Sequence, residues 1–411
     1  MVAKTYEIRD PVHGFISFNE WEREIINHSV FQRLRRIKQL ALTDMVYPGA
    51  NHTRFEHSLG VMNFATRMYD NIVRKCKDVL VNFLHYDTAG LERDRMLVRL
   101  ASLLHDVGHP PFSHAGEGLM PPKNERDSYS HEDYSAAIIE NFFQGIIEEH
   151  PLNQNYHLKA EEVSGFLTGS PKLGRSLLWR NLLSGQLDAD RSDYLLRDSV
   201  HTGVNYGSFD IDRLLVTLTV AFVDGNPTIA VEEGGWHAAE GLVLSRYMMF
   251  TQVYFQHTRR AYDYHVNELL KEVVSVFPSP NTYKSLEEYI DWDDWKVFSK
   301  IKSKNGFESE HMEVLLNRNH IRKVHQTSEN PDMDELKEFD EQVDKIGEKV
   351  VFIDEAEKSW YKFGNEDVVV KYEDQNKSTT LSHFSSVVKG LKPVGQKRIY
   401  VKNEVKKQFA K

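Results

Sequence analysis

The stretch Leu103-Leu104-His105-Asp106-Val107-Gly108-His109-Pro110-Pro111-Phe112-Ser113-His114 decides how this chain is read. An apolar run from Met96 to Leu104 leads straight into a His-Asp pair, and two more histidines follow within nine residues. Neighbours on a helix point about 100° apart, so His105 and Asp106 reach one ion only if it lies off the helix end. Gly108 and Pro110-Pro111 break helices, which throws His109 and His114 into a loop close to that end. A lone His-Asp dipeptide is more often a surface or capping pair. Four polar groups behind an apolar run are harder to dismiss, since burying each unpaired costs about 1–3 kcal/mol. This stretch alone leaves both a metal or catalytic role and a capping role open.

Upstream, residues 6–18 read as extended, with a turn at Pro11, His13 and Gly14. Apolar residues from Trp21 to Leu42 recur every three and four positions and predict a helix, whose opposite face carries Arg33, Arg35, Arg36 and Lys38. That face is a solvated surface or an anion-binding one, with Gln39 beside it. A second helix is predicted from Thr53 onward, its buried stripe running through Val61, Phe64 and Met68. His57 shares that stripe, where histidines are more often satisfied core residues than ligands. Arg54, one turn earlier, would repel a charged His57 unless an anion or a metal lies between them.

Downstream of His114, a polar loop from Gly116 to Ser130 holds Glu117. Ser130 and Asp133 have the spacing of a helix cap, placing His131 in a first turn, where the dipole disfavours imidazolium unless an anion is near. Residues 161–183 read as an amphipathic helix. Between Asp188 and Asp198 four aspartates and two arginines fall in eleven residues, either a salt-bridged exposed helix or a source of the carboxylate that a His, His, Asp set lacks. Another long helix is predicted over 236–275, then helices at 286–302 and 306–319 and strands near 350–352, 367–372 and 398–401. The segment from Lys392 is basic and is expected to fray.

A chain of 411 residues can bury a large core and form one big domain plus a lobe, or two domains. Hydrophobic residues make up 40% and charged residues 27%, the balance of an ordinary soluble protein. The net charge of −10 argues against nucleic acid as the main partner, although Arg33, Arg35, Arg36 and the lysines near the C-terminus offer a basic surface. With Cys76 as the one cysteine, an intrachain disulfide and a thiolate metal cluster are both excluded. Any metal must be held by His, Asp and Glu, which suits a hard or borderline divalent ion. The first residues have no apolar signal core and no run of 18 apolar residues occurs, so a cytoplasmic protein without membrane contact is expected.

Arg54…His57, His105-Asp106 and Asp188-Ala189-Asp190 together resemble the HD-domain phosphohydrolases. Longer matches narrow the resemblance to the deoxynucleoside triphosphate triphosphohydrolase branch: Asp10-Pro11-Val12-His13-Gly14, the run from Phe31 to Leu40, Phe55 to Val61, and His105 to His114. Arg246 to Phe255 looks like the bacterial members in particular. The resemblance implies a mostly α fold, with a helical HD core over 1–275 and a smaller mixed α+β lobe over 276–411 serving oligomerisation or regulation. It implies one divalent ion, Mn, Mg, Fe or Zn, on His57, His105, Asp106 and Asp190. Hydrolysis at the α-phosphorus of a deoxynucleoside triphosphate would then give nucleoside and triphosphate. By the same resemblance His109, His114, Glu117 and His131 line the reaction centre. Arg54, Arg191, Tyr194 and Asp198 contact phosphate or sugar, and Gln39, Leu40 and Tyr262 flank the sugar. A homo-oligomer, dimer or tetramer, and an activating nucleotide belong to the same expectation. The departures are Tyr6 and Asn27, where the mammalian member has the lysine and aspartate of a guanine-specific pocket, and Tyr254, where it has an arginine gripping the phosphate tail. The alternatives are an HD-type nuclease or a phosphohydrolase of another nucleotide, and a protein that binds nucleotide or nucleic acid without turnover.

Overall fold

The computed structural model describes residues 4–303, 309–373 and 377–409. Helices dominate, and three small sheets flank them. The chain opens with the antiparallel hairpin β1 (Tyr6–Asp10) and β2 (Gly14–Phe18). Asp10 closes its turn by accepting the N–H groups of Val12 and His13 at 2.8 and 2.9 Å. The centre of the molecule is the long helix Arg54–Asn82, which starts from a capping box of Thr53 and Glu56. It packs between Thr88–Leu104 and Ala189–Thr202, so the residues flanking His57, His105 and Asp190 meet in one core.

Four expected helices are interrupted. The segment 21–42 is two short helices and a 3₁₀ turn, broken where His28 turns extended and its ring accepts the Val30 N–H. The buried face continues across the break, which is why the periodicity looked unbroken. Arg33 is not on a solvated face. It is buried and donates to the carbonyls of Trp292, Val107 and His109. In the segment 161–183, Gly169 takes a left-handed cap and Pro171 ends the α-helix Ala160–Thr168. The segment 236–275 divides at a π-turn, Phe250–Tyr254, and restarts as His257–Val273 under the Gln256 cap. Residues 286–302 fall into two helices, Tyr283–Ile290 and Asp294–Ser303. The helix expected over 306–319 is Glu310–Asn317, and its first positions, 306–308, lie outside the described residues.

The hairpin β3 (Leu218–Val223) and β4 (Asn226–Glu232) turns on Asp224-Gly225, both at positive φ. β7 (Val369–Lys371) pairs parallel to β4, and β8 (Ser378–Thr380) antiparallel to β7. In the third sheet, β9 (Val394–Val401) lies between β5 (Arg322–Gln326) and β6 (Val350–Lys358), antiparallel to both. The basic C-terminal segment therefore does not fray at 394–401. Ile399, Tyr400 and Val401 are fully buried, and Lys397 and Arg398 are neutralised by Glu355 and Asp354. Apolar side chains beyond residue 275, including Phe277, Leu286, Tyr289 and Val370, join the main core. No described helix is long and apolar enough to cross a membrane.

Candidate metal centre and the acid–base cluster beside it

The helix Thr88–Leu104 stops one residue before His105. The turn that follows is held from three sides. Gly108 donates to Ser135 Oγ, which donates to the carbonyl of His105, and a Cβ on Gly108 would strike the first turn of His131–Phe142. Only glycine lets that helix end come so close, and His131 comes with it. From the far side, Tyr289 donates to the Gly108 carbonyl and Arg33 to those of Val107 and His109. Phe112 and Ser113 then take left-handed backbone, φ 57° and 56°. Such strain costs about 1–3 kcal/mol per residue. Asp294 accepts the Phe112 N–H, and Ser113 Oγ bridges Arg54 and the Lys38 carbonyl, which holds the strained pair in place.

His57, His105, Asp106 and Asp190 converge. His57 Nε2 lies 3.0 Å from Asp190 Oδ1 and 3.7 Å from Asp106 Oδ2. His105 Nε2 lies 3.3 Å from Asp106 Oδ1 and 3.8 Å from Asp190 Oδ1. Both imidazoles are braced from behind. His57 Nδ1 bonds Asp193 Oδ2 at 2.8 Å, and His105 Nδ1 donates to the Ser102 carbonyl at 2.8 Å. Outer partners of this kind fix ring orientation and tautomer at metal sites. With the proton of His105 on Nδ1, its Nε2 presents a lone pair, and that atom is buried without a hydrogen-bond partner among the described residues. Two imidazoles and two carboxylates around such an atom fit a divalent cation. The local field fits as well. Burial alone would lower the His57 imidazole, but Asp190, Asp193 and Asp106 raise it to about 10. Arg54 Nη1 sits 2.5 Å from Asp106 Oδ2.

The bracing was not legible as a function in the sequence. Asp193 also bonds His13 Nε2 at 2.6 Å and takes two bonds from Arg197, which in turn pairs with Asp10. The β1–β2 turn is thus tied to His57 through one carboxylate. Gly60 permits it, because any Cβ there would collide with Asp193 and Arg197.

Next to this centre, His109, His114, Glu117 and His131 bring ligating atoms within 4.8 Å of one another. The rings of His109 and His131 stack at 3.8 Å. Glu117 bonds His131 Nδ1 at 2.5 Å and His114 Nδ1 at 3.1 Å. Burial disfavours charge on His131 and Glu117, yet His131 is raised above its ordinary value, chiefly by Glu117, while Glu117 is lowered by the two imidazoles. His109 goes the other way: burial, Arg54 and His131 push it well below its ordinary value, so it is a neutral ring.

Both clusters open on one cavity of about 840 Å³. Gln39, Leu40, Arg54, Arg191, Tyr194 and Asp198 line it, and among the described residues no donor reaches the buried Gln39 Oε1. Asp198 is already engaged on both oxygens, by His52 at 2.7 Å and the Tyr254 hydroxyl at 2.6 Å. Tyr262 is not brought to the cavity. Its ring faces His320, and the cavity is lined instead by Asp263 and Tyr264.

Residues 54–195 match the HD domain family and residues 209–411 the HD associated region. A solved structure of a hypothetical protein from Aquifex aeolicus is similar with a TM-score of 0.80 and 32% identity over 98% of each chain. An uncharacterized protein of Methanocaldococcus jannaschii is 38% identical over 65% of this chain and 49% of its own length. The Bos taurus protein named deoxynucleoside triphosphate triphosphohydrolase SAMHD1 is 32% identical over 65% of this chain and 46% of its own. The chain spans about half the length of these curated relatives.

Proposed function

The chain belongs to the HD-domain family, and on that premise we propose that it is a metal-dependent phosphohydrolase converting deoxynucleoside triphosphates to nucleoside and triphosphate. One observation carries this reading: a braced His57, His105, Asp106 and Asp190 centre shares a cavity with the Glu117–His131 pair. A divalent cation on those four ligands supplies neutralisation of phosphoryl oxygens and a more acidic water. Arg54 adds fixed positive charge beside Asp106, where a phosphate would rest. Water attacks the α-phosphorus and gives up a proton to solvent, the bond from phosphorus to the 5′-oxygen breaks, that oxygen takes a proton from His131 Nε2, and solvent reprotonates His131. Glu117 holds the proton on His131 until then, from the Nδ1 side. Gln39 and Leu40 lie against the sugar, where a 2′-hydroxyl would crowd them.

The test incubates the protein with each dNTP, each rNTP and single-stranded DNA in Mn²⁺ or Mg²⁺ and identifies the products. Release of triphosphate from dNTPs supports the reading; shortened strands would support an HD-type nuclease instead. Assembly into a homo-oligomer and activation by a nucleotide belong to the reading through the resemblance, and light scattering with and without nucleotide tests them.

A further inference from the structure

Cations lining the cavity are mostly compensated. Arg54 faces Asp106, Arg191 faces Asp188, Arg259 faces Asp263, and Arg260 faces Asp354. Two are not. Among the described residues, neither Arg246 nor Lys358 pairs with a carboxylate. Arg246 spends one nitrogen on the Trp360 carbonyl, at 2.9 Å, and its Nε is buried with no partner. The ammonium of Lys358, at the end of β6, has no hydrogen-bond partner among the described residues and sits over the Phe250 ring at 5.2 Å. Arg246 lies 5.8 Å from the same ring, so the two cations converge on one spot of the cavity wall. Arg191 is close enough that it and Arg246 both act, after burial, to lower Lys358. Mutually repelling cations around a cavity are the ground state of an anion site.

We propose that Arg246 and Lys358, with Arg191 behind them, seat the terminal phosphates of the substrate, so that the HD-associated region gauges the length of the phosphate tail. The proposal rests on the nucleotide reading above and deepens it. Arg191 is on the helix that carries Asp190, whereas Arg246 and Lys358 come from residues 209–411, the region matched separately. A monophosphate at the metal centre would leave the second group of cations unmatched. A triphosphate carries extra charge to exchange for the repulsion among them.

The test is equilibrium binding of inorganic tripolyphosphate, pyrophosphate and phosphate to the full chain, by calorimetry in buffer without divalent metal. The wild type is expected to bind tripolyphosphate at least about tenfold more tightly than phosphate, and Lys358→Gln and Arg246→Gln to lose about tenfold of that preference each. Lys358→Arg is expected to restore it. The Lys358 side chain has no hydrogen-bond partner among the described residues, so its variant folds even where Arg246→Gln, which gives up the Trp360 contact, does not. With dNTP as substrate the same variants raise KM more than they lower kcat. No preference for the longer anion in the wild type, or a preference that both variants retain, overturns the proposal. Preference without dNTP turnover keeps the tail seat and removes the deoxynucleotide reading.

Discussion

The two imidazole clusters lie side by side on one cavity, share the turn that runs from His105 to His114, and differ in how firmly they are held. In the first, His57 and His105 are braced by Asp193 and the Ser102 carbonyl, and their side chains are 1% and 11% exposed. In the second, Glu117 is shared between His131 and a His114 that is 70% exposed, and the nearest orphan nitrogen is His109 Nδ1. Fixed orientation with an unpaired lone pair is what an ion needs from its ligands. A carboxylate shared between two imidazoles at a cavity wall is what a proton donor needs. The clusters therefore answer to different experiments, and variants in each sharpen or break the distinction.

The largest effect is expected for Asp190→Ala, which removes the proposed ligand most open to the cavity. Turnover and retained metal should vanish together, with the melting temperature little changed. Loss of activity with full metal occupancy would break the assignment. Next comes His131→Ala, where kcat should fall by about 10²–10⁴ while metal content and substrate affinity hold. Equal losses in kcat and in binding would move His131 out of the donor role. Asp193→Asn follows. It leaves the four proposed ligands in place but withdraws the charge behind His57, so metal affinity should weaken by about 10–100-fold, read by competition with a chelator.

The order of those effects also separates what sequence could convey from what it could not. His105, Asp106, His109 and His114 were legible because an apolar run and its breakers set them at the mouth of one helix. The cap that places His131 was legible from Ser130 and Asp133. Asp190, by contrast, is one acid among four in a charged helix, and the resemblance alone singled it out. Asp193 is three residues away on that helix and turns inward, toward Arg54–Asn82, a consequence of packing that no local pattern contains. Arg33 read as a surface charge because its partners, the carbonyls of Val107, His109 and Trp292, lie 74 to 259 residues away. The long helices looked continuous because apolar periodicity survives a cap or a π-turn that keeps the same face inward. The β3–β4 hairpin had a signal, Asp224-Gly225, but it sat between segments read as helical.

The smallest effect is a displacement along the pH axis. Burial lowers the His131 imidazole, and Glu117 more than restores it, so its folded value stands above the ordinary 6.5. As a donor it works protonated, and kcat/KM should fall as pH rises through that folded value. In Glu117→Gln burial acts against less opposing charge, and the alkaline limb should move to lower pH. The same pair enters folding. A raised histidine contributes stability that is complete below 6.5 and lost as pH rises through the folded value. The depressed Glu117 contributes above its ordinary 4.5 and loses that as pH falls. The melting temperature of the wild type should therefore exceed that of Glu117→Gln most between pH 4.5 and 6.5, and the gap should narrow on both sides. A gap that is flat with pH would mean that Glu117 holds His131 by shape and not by charge, and the contrast between a fixed cluster and a proton-carrying one would lose its basis.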